Sequence, residues 1–223
     1  MEAIVPIALV LILGLPVLGV LVGARLRKRA VANLGQVAAY CQQRGWQQVQ
    51  PDRRITQKTW ILYEATGTAS LNVQGQFAGQ HRGMAFQAAQ VARPPSPMRT
   101  TMQRLAVVYV ERPVPGPRLQ LAPSGISSTT FLKRDLQIDD PAFDAAFHVS
   151  SEHQGFARAV LHPGLTQALA RDGRAAESVI GFEQGHLFAV RHGELTPEKL
   201  QSMLDMLIDV HLNVPWQQLG STA

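Results

Sequence analysis

The chain has 223 residues, one cysteine, a formal charge of +5 and a sequence pI near 9.9. A lone cysteine excludes an internal disulfide and fits a reducing compartment. Four of the 21 cations stand in one short run and one of the 16 acids is Glu2; the other 17 and 15 leave a balance of +2, too little for a nucleic-acid footprint.

Residues 4–23, IVPIALVLILGLPVLGVLVG, contain no charged or strongly polar side chain. As a helix they rise roughly 30 Å, the thickness of a bilayer core. A cleaved signal peptide would carry its positive charge before the apolar run and a small-residue cleavage site after it. Here only Met1, Glu2 and Ala3 precede the run. A buried core helix would be shorter and apolar on one side only. The segment therefore reads as a single transmembrane helix. Arg25, Arg27, Lys28 and Arg29 follow it at once, and positive flanks stay cytoplasmic. The expected organisation is a short external N-terminus at 1–3, the span at 4–23, a basic juxtamembrane flank and helix at 24–45, and a soluble cytoplasmic domain at 46–223. Gly19 and Gly23 form a G-x-x-x-G pair that lets two helices approach closely, a candidate contact for a homo-oligomer.

Residues 24–44 continue as a helix, with Val31, Leu34, Val37, Ala38 and Cys41 on one face. Cys41 has no base beside it and reads as a small core hydrophobe. Gly45 stops the helix. Residues 58–65, KTWILYEA, read as a strand. Residues 69–77 and 84–91 read as an antiparallel pair joined by a turn at 79–83. The prolines of 92–97 break the pattern. LAVVYV within 101–110 resumes it, and 119–121 is a further short strand. Residues 124–130 read as a loop.

FDAAFHVS, residues 143–150, alternates with period two and reads as a strand. Ser151 is expected to cap a helix reaching about residue 161, and Pro163 to open another. Residues 178–190 read as a hairpin turning at Glu183, Gln184 and Gly185. Thr196, Pro197 and Glu198 start the last helix with a cap, a first-turn proline and an acid at the positive dipole end. Leu200, Met203, Leu204, Leu207, Ile208 and His211 line one stripe of it, and Pro215 ends it. Strands do not alternate one for one with helices. The expected fold class is α+β: a transmembrane helix, then one soluble domain with a largely antiparallel sheet and a C-terminal helix.

The chemistry-bearing residues do not assemble into a known motif. His148, Glu152, His153 and His162, and separately His186 and His192, lack metal-ligand spacing and a cysteine pair. Gly75, Gly79 and Gly83 lie between strands and lack the following helix of a phosphate loop. There is no G-x-S-x-G or S-x-x-K, and Ser127 and Ser128 have no base nearby in sequence. Asp139 and Asp140 read as a turn before Pro141. Asp144 reads as a local hydrogen-bond acceptor at the strand start.

As a set, RGW at 44–46, the glycines from Gly75 to Gly83, FDAAFHVSSEHQGFARAVLHPGLTQAL at 143–169 and IDVHLNVP near the C-terminus resemble an actinobacterial family of single-pass membrane-anchored proteins with no established activity. The resemblance implies shared architecture and supplies no catalytic residue. His148 and His153 stand where the family pattern has arginine-like and acidic residues.

The resulting expectation is a membrane-anchored cytoplasmic domain without catalytic residues, metal or cofactor. It would bind lipid head groups or a membrane or cytoplasmic protein. The alternative is a membrane-bound hydrolase or metal-dependent enzyme using His148, His153 and Asp144, which requires those three side chains to meet in one pocket.

Overall fold

The computed structural model describes residues 32–52, 55, 71–93, 102–125, 136–183 and 185–219. The span at 4–23 with Gly19 and Gly23, the flank residues Arg25, Arg27, Lys28 and Arg29, the strand expected at 58–65, and Ser127 and Ser128 lie outside the described residues. Among the described residues no helix is long and apolar enough to cross a membrane.

Helix α1, residues 32–43, buries Val37 and Cys41 and packs Leu34 and Ala38 against the same core. It ends as expected. Gly45 adopts φ +72°, a conformation open to a residue without Cβ. Its N–H donates to Gln42 O and that of Trp46 to Cys41 O.

Eight strands follow: β1 (Gln47–Val49), β2 (Asn72–His81), β3 (Met84–Arg93), β4 (Gln103–Glu111), β5 (Leu119–Pro123), β6 (Phe147–Ser151), β7 (Val179–Glu183) and β8 (His186–His192). They form one sheet in the order β1-β2-β3-β4-β8-β7-β5-β6. Every neighbouring pair is antiparallel. The late hairpin β7–β8 thus inserts between β4 and β5. Between β5 and β7 come α2 (Pro141–Ala146), α3 (Gln154–Val160), α4 (Pro163–Arg171) and α5 (Gly173–Ala176); α6 (Pro197–Asn213) and α7 (Trp216–Leu219) close the chain.

The helices cover one face of the sheet. Ala106, Val108 and Val110 of β4 share a core with α1, with Phe143, Phe156 and Leu165, and with Leu200, Met203, Leu204, Leu207 and Val210 of α6. Each buried side chain of this size contributes about 1.5–3 kcal/mol of transfer free energy. The alternate residues of β4, Leu105, Val107 and Tyr109, belong to a second apolar cluster on the opposite face with Val91, Phe188 and Val190. Burial on both faces explains why β4 reads as an unbroken apolar run.

The α+β architecture with an antiparallel sheet and a C-terminal helix is as the sequence predicts. Thr196 Oγ1 accepts the Lys199 N–H and Pro197 opens α6. Three local expectations are corrected. Residues 143–146 are helical: Asp140 caps α2 by accepting the Phe143 N–H, Pro141 occupies its first turn, and strand structure begins only at Phe147. The cap of α3 is His153, whose Nδ1 accepts the Phe156 N–H, while Ser151 still pairs with Leu119 as the last residue of β6. The β2–β3 turn is tighter than expected. It consists of Arg82 and Gly83 alone, both at positive φ (50° and 80°), as a two-residue I′ hairpin requires.

Candidate functional site

The second face of the sheet changes character along the strands. Register places Gln76, Ala89, Val107, Val190 and Val179 in one transverse row, each opposite the next. Apart from Gln76, which accepts the Asp52 N–H, this row is apolar and buried. The next row, Ala78, Gln87, Tyr109, Phe188, Gly181, Gln120 and Ser150, is mixed. The last carries Gln80 opposite Ala85, and Glu111 and Glu183 on either side of His186. At this end Gln80, Ala85, Gln87 and Glu111 are exposed and His186 is half-buried.

The polar end forms a groove of about 600 Å³. Ala78, Gly79 and Ala85 make a shallow floor, Tyr109 borders it, and Gln47, Gln80, Gln87, Glu111 and His186 supply polar groups; Arg44, Gly45 and Trp46 form the rim. The walls are held from outside. Tyr109 donates its hydroxyl to Ile55 O at 2.8 Å and meets the His186 ring edge-on at 6.3 Å. Trp46 lies on the far side of Gly79, where a Cβ would meet its Cδ1 at 2.5 Å, and donates Nε1–H to Gln80 O. Any larger residue at 79 would push the indole away. The Arg44 guanidinium sits 4.3 Å from the Tyr40 ring centroid and 5.7 Å from that of Trp46. Glu183 is nearly buried, and Arg118 Nε pairs with it at 3.2 Å.

A second polar cluster lies on the helix-covered face at the same end. His81 Nε2 contacts Asp205 Oδ1 at 2.7 Å, Arg82 pairs with Asp209 at 2.6 Å, and Arg174 bridges Asp209 and Asp172. Gln201 donates to Asp205 and accepts from the Tyr40 hydroxyl. Burial pushes the Asp205 carboxyl up, but hydrogen bonds from Gln201 and His81, with the charges of His81 and Arg82, outweigh it and leave Asp205 below the ordinary carboxylate range. Asp205 and Asp209 are one helical turn apart, so α6 grips the hairpin tip at two adjacent points. The pair His81–Asp205 resembles a base and its orienter, but its remaining contacts go to Gln201 and Trp46, and the hydroxyl that reaches the network, that of Tyr40, donates to Gln201 Oε1 rather than to His81. The contact ties the hairpin tip to α6.

Two residues of the enzyme alternative, Asp144 and His153, make local hydrogen bonds to backbone N–H groups. Asp144 Oδ1 accepts the Ile138 N–H at 3.0 Å, the local hydrogen bond expected of it, though in a helix rather than at a strand start. His153 caps α3. His148 lies on edge strand β6 opposite Ala122. Among the described residues no three His, Cys, Asp or Glu side chains come together to hold a metal ion. Cys41 is buried without a base, and burial, partly offset by Arg44, pushes its thiol up to about 11, which suits packing and not nucleophilic attack. The groove residues come from the end of α1 and from β1, β2, β3, β4 and β8, and carry no local spacing that sequence reading could detect.

No family model matches the chain, and no curated protein matches it in sequence. Among solved structures its fold is similar to that of the mycobacterial trehalose monomycolate transport factor A, TtfA, with a TM-score of 0.60 over 82% of this chain and 94% of that chain, at 12% identity. At that identity the likeness shows the fold alone.

Proposed function

We propose that the chain is a membrane-tethered, non-catalytic domain that binds lipid in the groove at the polar end of the sheet's second face. The observation that carries this reading is the groove itself: polar side chains at its mouth, the Glu111 carboxylate among them, border a small-residue floor and an aromatic wall, the mixture an amphipathic ligand requires. The fold neighbour, named for the transport of trehalose monomycolate, is a lipid-handling protein and supports the reading. The tether is residues 4–23, and the flank Arg25, Arg27, Lys28 and Arg29 sets the domain on the cytoplasmic side of the plasma membrane. In this reading the chain is a member of the actinobacterial membrane-anchored family it resembles.

The test is photocrosslinking in vesicles carrying the full chain and a lipid with a diazirine near its head group. Adducts are expected on peptides containing Gln87 or Glu111. Ala85→Trp fills the groove from an exposed position and is expected to remove them without altering the circular dichroism spectrum. Adducts that persist unchanged in the filled variant refute the groove as the lipid site.

A further inference from the structure

Resting on the lipid-binding reading above, we infer that the groove selects a head group that is uncharged and rich in hydroxyls over a phosphate-bearing one. The first reason is the hydrogen-bond inventory. Each amide of Gln47, Gln80 and Gln87 offers one acceptor oxygen and two donor hydrogens, and all three side chains are exposed at the mouth. A hydroxyl both donates and accepts, so it can use either end of such an amide. A phosphate only accepts and would leave half of each amide idle.

The second reason is charge. Glu111 is exposed in the groove and makes no ion pair among the described residues. Its carboxylate takes strong charge-assisted bonds from hydroxyls and repels an anion. Glu183, in the same transverse row, is matched by Arg118 and adds no net charge. Among the described residues of the rim the one cation is Arg44, and it is stacked over Tyr40 and Trp46. The third reason is the backbone. Anion sites favour helix N-termini, whose N–H groups point at the ligand. Among the described residues lining this groove, the strands supply all but Arg44 to Trp46 at the end of α1, which arrives with its C-terminal, negative end at Arg44 and Gly45.

The experiment is competition against a fluorescent single-chain lipid bound to the full chain in phosphatidylcholine nanodiscs. The competitors share one alkyl chain and are used below their critical micelle concentrations: a maltoside, a lysophosphatidylglycerol and a phosphocholine. The maltoside is expected to displace the probe at a concentration about tenfold lower than either charged competitor. Glu111→Lys is expected to lower that preference at least tenfold, whereas Glu111→Gln keeps most of it. If lysophosphatidylglycerol or the phosphocholine equals or beats the maltoside, the head-group inference is overturned and lipid binding stands. If none of the three displaces the probe from the groove, both fall.

Discussion

Gly181 gives the sharpest test of the packing that supports the groove. It lies in β7 opposite Phe188 of β8, and a Cβ built there would stand 2.2, 2.5 and 2.9 Å from three carbons of the Phe188 ring. All three distances are far inside van der Waals contact. The ring is 2% exposed and sits beside Tyr109 at 6.2 Å, so it has little room to retreat. Adding a methyl under such a ring costs about 1–3 kcal/mol in strain. A glycine removed from a strand interior returns about 0.5–1 kcal/mol of backbone entropy. Gly181→Ala should therefore destabilise by about 1–2 kcal/mol, and Gly181→Val by more. At about 2–4 °C per kcal/mol for a chain of this size, the alanine variant melts several degrees lower. Phe188→Ala alone should cost about 3–5 kcal/mol through its cavity. The double variant Gly181→Val with Phe188→Ala must then be less damaging than the sum, since the new side chain enters the space the ring left. Urea titration of the four proteins, followed by circular dichroism, measures the cycle. Strict additivity, or a neutral Gly181→Val, would falsify the claim that Phe188 lies across Gly181.

Cys41 should resist maleimide in the folded protein at neutral pH and label at the rate of unfolding, because it is fully buried. Its thiol is raised from 9.0 to about 11, so the stability tied to it is intact below pH 9.0 and is lost as pH climbs from there toward 11. Cys41→Ala should remove that part of the alkaline loss, and an unchanged alkaline limb in thermal melts would count against the assignment. Asp205 behaves in the opposite sense: with a depressed pKa, its contribution is present above the ordinary value of 3.8 and disappears as pH falls through the lower folded value. Asp205→Asn should be less stable than the parent at neutral pH and converge with it in acid; a gap that stays constant with pH would show that the His81 contact carries no charge-dependent stability.

Legibility in the sequence followed how local each determinant is. The start of α6 was readable because Thr196, Pro197 and Glu198 act within one turn. β4 was readable because burial on both faces leaves no polar residue inside it. The stretch 143–150 misled because Phe143 and Phe147 fit two patterns. Spaced by four they also suit the end of a helical turn, and their rings stack at 5.2 Å where α2 passes into β6. Only the cap at Asp140 and the proline after it break the tie. Insertion of β8 beside β4 depends on long-range pairing of Tyr109 with Phe188 and its neighbours, which no local signal encodes. The groove is illegible for the same reason: Gln87, Glu111 and His186 become neighbours only once three separate strands take their register. Gln87 and Gln90 show the difficulty within a single strand. The first is exposed on one face; the second is buried on the other, accepting the Leu195 N–H.

The way α1 is mounted has a mechanical consequence. Near its start Leu34 lies over Gly75, where a Cβ would come within 2.9 Å of the leucine, and just past its end Trp46 lies over Gly79. The helix is thus seated at two points on the same strand, in sockets left open by two glycines. Its 12 residues run about 18 Å, longer than the roughly 13 Å that separates the two glycines along the strand. The seated helix joins β2 to the groove rim at Arg44 to Trp46, and a load at residue 32 is expected to follow that path.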